Sequence, residues 1–244
     1  MFASLNDLHR DEPTILVDVG TPLILFDIDG TLLRRSGPHH RQALEAAVLD
    51  VTGVAASTES IPVAGMLDGV ILTLMMKAAG LKVTAVRAAL PAVMARAQEL
   101  YGESCPDLRR RVCPGVRQLL PRLKRQGAVI GLVTGNLSRI GWTKMERAGL
   151  RAHFRFGAFA EMGRTRGELA RMARRQAMAE GWITRQSPAV LIGDHINDIR
   201  AAREAKMCSV AVATGVLPRA ELVPHQPDFL LDDLRSFDLD EVLR

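Results

Sequence analysis

Two aspartates stand two residues apart directly after a short apolar run. The run is Leu23–Phe26, and Asp27 and Asp29 follow it, with Gly30 and Thr31 next. Two like charges at the mouth of a buried strand repel each other and are costly to remove from water. In an extended strand end, side chains at i and i+2 face the same side, so both carboxylates can reach one group. The pattern indicates a cation site or a reaction that uses two carboxylates.

Two further polar stretches also follow apolar runs. One contains Thr134, Gly135 and Asn136, and the other contains Asp194 and Asp198. Open α/β sheets place their ligands at the carboxyl ends of parallel strands. We therefore expect the three stretches to meet around one crevice that combines acidic groups with hydroxyl and amide donors.

The segments that must position these residues alternate between short apolar runs and amphipathic stretches. This alternation predicts an α/β fold with a doubly wound, mostly parallel sheet. The predicted strands are residues 23–28, 128–134, 154–159, 189–193, 208–213 and 229–231. The predicted helices between them are residues 116–126, 137–148, 168–180 and 197–205.

A long insertion separates the first two strands. About 100 residues lie between them, far more than one crossover helix needs. Helical patterns at residues 40–51, 68–79 and 84–101 predict a small all-helical cap over residues 36–108, with Gly102 as a break and Pro91 interrupting the last helix or starting its second half. Residues 21–35 and 109–244 then form the core domain, and residues 1–20 are a lead-in in which 14–19 is either an edge strand or an unpaired segment.

Composition excludes several classes of protein. Of 244 residues 48% are apolar, enough for a sizeable core. The net charge is +5, but the arginines are scattered and only 4% of residues are aromatic, so we expect no nucleic-acid partner. No apolar run approaches the ~20 residues that cross a bilayer, and no signal-peptide pattern is present, so we expect a soluble cytoplasmic protein with no membrane partner. Three cysteines without a Cys-x-x-Cys pair argue against disulfides or a thiolate zinc site; the oligomeric state is not predicted.

The three polar stretches together resemble the motifs of the haloacid dehalogenase superfamily of aspartate-nucleophile phosphohydrolases. Asp27-x-Asp29-Gly30-Thr31-Leu32 resembles its first motif, Thr134-Gly135-Asn136 its second and Gly193-Asp194-x-x-x-Asp198 its fourth. The resemblance covers residues 21 to 232. The length, the helical insertion and the stretch Gly65-Met66-Leu67-Asp68 resemble the phosphoglycolate phosphatase-like branch.

The resemblance implies roles for the two first-motif aspartates. Asp27 would be the nucleophile that forms an aspartyl-phosphate. Asp29 would be the general acid for the leaving alkoxide and then the base that activates water. A cation must offset the repulsion between a carboxylate and a phosphate, and oxygen ligands favour Mg²⁺. The family pattern implies that the metal is held by the Asp27 carboxylate, the Asp29 backbone carbonyl and the Asp194 carboxylate, with Asp198 in support.

The phosphate-binding residues are less completely specified. The resemblance assigns Thr134, Gly135 and Asn136 to the phosphoryl oxygens, beside the start of the next helix. The family's third motif supplies a lysine, but residues 163–169 contain none. By spacing we predict Arg164 in its place, with Arg166 as the second candidate and Lys144 as the third.

Three other polar positions have two interpretations each. Asp68 is either a helix N-cap or a cap-side substrate contact. His195 is expected to be structural, at a helix start, rather than a substrate contact. The pair Arg34 and Arg35 is expected to be surface charge rather than an attractor of anionic substrate.

The resulting expectation is a Mg²⁺-dependent phosphatase that hydrolyses a small phosphorylated metabolite, a phosphoglycolate-like phosphomonoester, through an aspartyl-phosphate. A β-phosphoglucomutase-like phosphotransferase would use the same residues. A catalytically weak relative that acts as a binding module is the non-enzymatic alternative, because the third-motif lysine is missing. Dehalogenation is disfavoured, since halide leaves without a proton and Asp29 would have no role. The physiological substrate is not predicted.

Overall fold

A computed structural model describes residues 20–34, 37–59 and 61–244. The strands in these ranges are β1 (Leu23–Phe26), β2 (Val129–Val133), β3 (Phe156–Ala158), β4 (Ala189–Gly193), β5 (Cys208–Val212) and β6 (Phe229–Leu231). The α-helices in these ranges are α1 (His39–Thr52), α2 (Asp68–Ala78), α3 (Val83–Ser104), α4 (Val116–Arg125), α5 (Ser138–Arg147), α6 (Arg166–Ala179), α7 (Ile196–Glu204), α8 (Arg219–Leu222) and α9 (Leu239–Val242). None of these helices is long and apolar enough to cross a membrane.

The strands form one parallel sheet in the order β3-β2-β1-β4-β5-β6. The first strand is therefore central, and all four of its side chains are buried. Phe26 at its end is in register with Leu132 of β2 and Ile192 of β4. The chain segments that follow these three strands thus leave the sheet at the same edge, which is where the polar motifs lie.

The predicted α/β fold class is confirmed, and all six predicted strands are present. Four of them, β1, β2, β3 and β5, are shorter than predicted. β1 ends at Phe26 because the chain turns just beyond it, where the backbone amides of Leu32 and Leu33 both donate to the carbonyl of Ile28. β3 covers only three residues. The possible strand at residues 14–19 lies outside the described residues.

The helices α1, α2 and α3 fall within the predicted insertion, and α3 packs against both of the others. We call these three helices and their connections the cap. The division of the chain at residues 36 and 108 stays a prediction. On the sheet, α6 and α7 pack side by side, α6 against β2 and β3 and α7 against β4 and β5.

The helix α3 is a single helix from Val83 to Ser104, so the expectations that Pro91 interrupts it or starts its second half, and that Gly102 breaks it, are wrong. An interior proline costs about 3 kcal/mol because it removes a hydrogen bond and crowds the preceding turn. Here its ring lies on the exposed side of the helix. The opposite side buries Val93 and Tyr101, and each such side chain contributes roughly 1.5–3 kcal/mol. Burial of this face outweighs the local cost.

Candidate active site

The loop after β1 brings the first motif against the fourth. Gly30 adopts a left-handed backbone conformation, with φ of 91°, and its amide donates to the carbonyl of Leu33. A Cβ atom on Gly30 would lie 2.2 Å from Oδ2 of Asp194, so a side chain here would displace that carboxylate. The hydroxyl of Thr31 donates to Oδ1 of Asp194 at 3.2 Å. Glycine at this position is what lets the two motifs touch.

Three buried carboxylates form an acidic cluster at the ends of β1 and β4. Oxygens of Asp27, Asp194 and Asp198 lie within 4.8 Å of one another. Burial raises the pKa of Asp27 to about 6. Arg166 opposes this rise, whereas the charges of Asp198 and Asp29 add to it. Burial also raises the pKa of Asp198, and burial together with the charge of Asp27 raises the pKa of Asp194 well above its ordinary value.

The cation in this cluster is Arg166, the first residue of α6. Its Nη1 lies 2.8 Å from Oδ1 of Asp27 and 2.6 Å from Oδ1 of Asp198. Burial opposes the charged form of the guanidinium, but Asp198 and Asp27 outweigh it and raise the pKa of Arg166 above its ordinary value. Oδ1 of Asp27 accepts no hydrogen bond from the described residues, since its contact with Arg166 lacks hydrogen-bond geometry.

The donor set of the cluster fits a divalent cation. Three carboxylates face one contacting guanidinium, which leaves an excess of negative charge in a buried place. All the donors are oxygens, the ligands preferred by hard cations such as Mg²⁺. Asp27 and Asp194, two of the predicted ligands, are members. Asp198, predicted only to support the metal, also lies within the 4.8 Å limit, whereas the Asp29 side chain is not part of the cluster.

Asp29 lies in a second group of polar side chains. Lys144 donates to Oδ2 of Asp29 and to Oδ1 of Asn136, both at 2.6 Å. The Asn136 amide donates to Oδ2 of Asp29 and to Thr134 Oγ1, both at 2.8 Å. Burial works against ionisation of Asp29, but the charge of Lys144 and the hydrogen bonds from Lys144 and Asn136 outweigh it and lower the pKa of this carboxyl. The two first-motif aspartates thus have pKa shifts of opposite direction.

The cap contributes two residues to this second group. Nδ1 of His40 lies 3.3 Å from Nζ of Lys144, and Nε2 lies 3.1 Å from Oδ2 of Asp68. Asp68 is the first residue of α2, and its carboxylate accepts from the amide of Leu137 at the start of α5. It therefore caps a helix of the core rather than its own helix, an arrangement that neither sequence interpretation included.

The cap loop 65–68 lies directly on the second and fourth motifs. The Asp68 amide donates to the carbonyl of Gly135 at 2.8 Å, and the Asn197 amide donates to the carbonyl of Gly65, also at 2.8 Å. A Cβ atom on Gly135 would lie 2.2 Å from the carbonyl oxygen of Met66. A cavity of about 300 Å³ opens beside this loop, between α2, α6 and α7, and Arg166 lines it.

The structure does not bring Arg164 to either group. Its side chain is exposed, and its backbone amide donates to Glu168 ahead of α6. Instead the second and third candidates, Arg166 and Lys144, are both buried against carboxylates. One signal for Lys144 was available, because it is a charge on the otherwise small or apolar buried face of α5, four residues after Ile140.

Two minor expectations concern surface and helix-start residues. His195 caps α7, where Nδ1 accepts from the amide of Asn197, in line with the structural interpretation. Arg34 is exposed, which favours surface charge, and Arg35 lies outside the described residues.

Comparison with known proteins gives concordant similarities. The family model of haloacid dehalogenase-like hydrolases matches residues 21–206. Phosphoglycolate phosphatase of Synechococcus elongatus is 30% identical over 141 residues, which are 57% of this chain and 63% of that protein. Phosphoglycolate phosphatase of Vibrio cholerae is 27% identical over 220 residues, 87% of this chain and 93% of that protein. The crystal structure of β-phosphoglucomutase from Clostridium difficile has the same fold, with a TM-score of 0.65, 17% identity and coverage of 91% and 95%.

Proposed function

This chain belongs to the haloacid dehalogenase-like hydrolases, in the phosphoglycolate phosphatase-like branch, and we propose that it is a Mg²⁺-dependent phosphatase for small phosphomonoesters. Phosphoglycolate is the first substrate to test, because two relatives carry that name. The observation that carries the proposal is the separation of Asp27 and Asp29 into differently charged surroundings at one strand end.

Asp27 is the proposed nucleophile. One of its oxygens attacks phosphorus, an Asp27–phosphate bond forms, and the bond from phosphorus to the leaving oxygen breaks. Arg166 lies beside the same carboxylate and would hold phosphoryl oxygens together with Thr134, Gly135 and Asn136. We assign to Arg166 the role that spacing gives to Arg164, because Arg166 contacts Asp27 whereas the side chain of Arg164 is exposed.

Asp29 is the proposed general acid and base. It gives a proton to the leaving alkoxide in the first step. In the second step it takes a proton from water, whose oxygen attacks phosphorus and breaks the bond to Asp27, releasing phosphate. The lowered pKa of Asp29 favours the second role, since the carboxylate is ionised at neutral pH and ready to accept a proton.

A Mg²⁺ ion would be held by the carboxylates of Asp27 and Asp194, with Asp198 adjacent and the backbone carbonyl of Asp29 as a further ligand. When bound, it supplies positive charge that offsets the repulsion between a carboxylate nucleophile and a phosphate dianion.

The proposal is tested by measuring phosphate release from phosphoglycolate with Mg²⁺ and with EDTA. We expect turnover only with Mg²⁺ and none for Asp27→Asn. A panel that includes β-glucose 1-phosphate with glucose 1,6-bisphosphate separates the mutase alternative, which would give glucose 6-phosphate instead of free phosphate. Folded protein that turns over none of these compounds would contradict the proposal and favour a binding module.

A further inference from the structure

Lys144 is fully buried and carries a charge, which is costly unless every donor is satisfied. Its ammonium group has three N–H donors and three acceptors: Oδ2 of Asp29, Oδ1 of Asn136 and Nδ1 of His40. Tyr101 of α3 also packs here, with its ring centroid 5.8 Å from Nζ of Lys144 and 5.6 Å from the His40 ring. The site around this ammonium is therefore complete only with residues of the cap.

The same contacts determine the tautomer of His40. An ammonium group only donates, so a hydrogen bond from Lys144 to Nδ1 requires that Nδ1 carry no proton; the ring proton is then on Nε2, which faces Asp68. A chain of hydrogen bonds thus runs from Asp68 on α2 through His40 on α1 to Lys144 on α5 and Asp29 after β1. Two of its members belong to the cap and two to the core.

This chain of hydrogen bonds ends at one oxygen of Asp29. Lys144 and Asn136 both donate to Oδ2. In the described part of the chain no hydrogen bond reaches Oδ1, and the side chain is 38% exposed. Fixing Oδ2 from two directions leaves Oδ1 free for a leaving group or a water molecule.

We propose that Lys144 is a positioning residue for Asp29, and that His40 makes this positioning depend on the cap. The inference rests on the proposed phosphatase function. When α1 and α2 pack against the core, His40 completes the partners of Lys144 and holds its ammonium against Asp29. When they move away, Lys144 loses its third acceptor and Asp29 loses its fixed orientation. The arrangement ties the acid and base to closure of the cap over substrate.

The test uses p-nitrophenyl phosphate, whose leaving group departs without a proton. The first step, in which the Asp27–phosphate bond forms and p-nitrophenolate leaves, then needs no help from Asp29. The second step still needs a base to take the proton from water. We expect Lys144→Met to show a burst of about one p-nitrophenolate per enzyme, followed by steady-state turnover about a hundredfold below wild type. The wild-type enzyme should show no burst.

His40→Ala should also show a burst, but its steady-state turnover should fall by only about tenfold, because Lys144 keeps two of its partners. The double variant His40→Ala/Lys144→Met should be no slower than Lys144→Met, since His40 and Lys144 act through the same chain of hydrogen bonds. Matched controls are His39→Ala, beside His40 on α1, and Lys77→Met, an exposed lysine of α2. Both controls should behave as wild type.

A crystal structure of Lys144→Met gives a readout independent of turnover, in which the Asp29 carboxylate should have rotated away from its wild-type position. If Lys144→Met does not fold, the burst expected for His40→Ala still tests the inference, since His40 is partly exposed and its replacement is better tolerated. Wild-type protein without Mg²⁺-dependent turnover would contradict the proposed function. Active wild type together with variants that show no burst and a kcat within twofold would overturn the role of Lys144 alone.

Discussion

Two groups of polar side chains lie at the end of β1, one around Asp27 and one around Asp29. They differ in composition and in the parts of the protein that supply them. Around Asp27, three carboxylates lie close together and the guanidinium of Arg166 contacts two of them, and all these residues come from the core. Around Asp29, one carboxylate receives hydrogen bonds from Lys144 and Asn136, and the group includes His40 from the cap. Two residues along one strand end therefore lie in opposite electrostatic surroundings. Such a separation is how one site obtains a group for covalent chemistry and another for proton transfer.

The largest expected effects come from removing the carboxylates of Asp27 and Asp29, the central residues of the two groups. Asp27→Asn removes the proposed nucleophile and should lower kcat by about 10⁴-fold or more with any phosphomonoester. Asp29→Asn should lower kcat for phosphoglycolate by about 10²–10⁴-fold, with release of the first product spared when p-nitrophenyl phosphate is used. Stopped-flow kinetics on both substrates measures this. If both variants slowed the first step with p-nitrophenyl phosphate equally, Asp27 and Asp29 would not have separate roles.

The next effect concerns the cation of the Asp27 group. Arg166→Met should lower kcat/KM by about 10²–10³-fold, because it removes the charge beside Asp27 that we propose holds the phosphoryl oxygens. Arg164→Met is the matched control, two residues away and exposed, and should stay within about twofold of wild type. A larger loss of kcat/KM for Arg164→Met than for Arg166→Met would instead support Arg164, the residue predicted from spacing.

A third prediction uses the raised pKa of Asp27. Its folded value of about 6 exceeds its ordinary value of 3.8, so the folded state binds the proton more tightly than the unfolded state does. Stability from this group is complete below its ordinary pKa and is lost as the pH rises through about 6, a change of up to about 3 kcal/mol. Urea unfolding in EDTA should therefore give a larger free energy of unfolding at pH 5 than at pH 7.5.

The control for this prediction is Asp27→Asn, which cannot ionise and should show a smaller difference between the two pH values. Mg²⁺ should also reduce the difference, since it favours the ionised carboxylates. The same pH dependence in wild type and Asp27→Asn would mean that Asp27 is not the group responsible.

The smallest expected effect concerns the link between cap and core. Asp68→Ala removes the acceptor for the amide of Leu137 and should lower the free energy of unfolding by about 1–2 kcal/mol, as loss of a helix cap does. Asp50→Ala is a suitable control, because its ion pair with Arg96 is exposed and should contribute less than about 1 kcal/mol. Chemical denaturation measures both. A loss for Asp68→Ala no greater than for the control would exclude a capping role.

Much of this arrangement is predictable from the sequence, because each motif follows an apolar run and parallel strands end at one edge. Counting residues along the sequence favours Arg164 over Arg166, but the count does not give the direction of a side chain. The helix α6 begins at Arg166, so this side chain lies in its first turn and points to the cluster. Lys144 contacts Asp29 across 115 residues, and no local pattern encodes such a pairing.

The central place of β1 also has a consequence for motion. Its backbone pairs on both sides, and the amide of Asp27 donates to the carbonyl of Ile192. Exposing this amide to solvent requires rupture of the sheet, so its hydrogen exchange should approach the rate set by global unfolding. The cap meets the core through the loop 65–68, through His40 and through the packing of α3 against α5, contacts that can break while the strands of the sheet stay paired. Asp27, the proposed nucleophile, thus belongs to the slowest-opening part of the molecule, whereas the cap that controls access to it belongs to a faster-opening part.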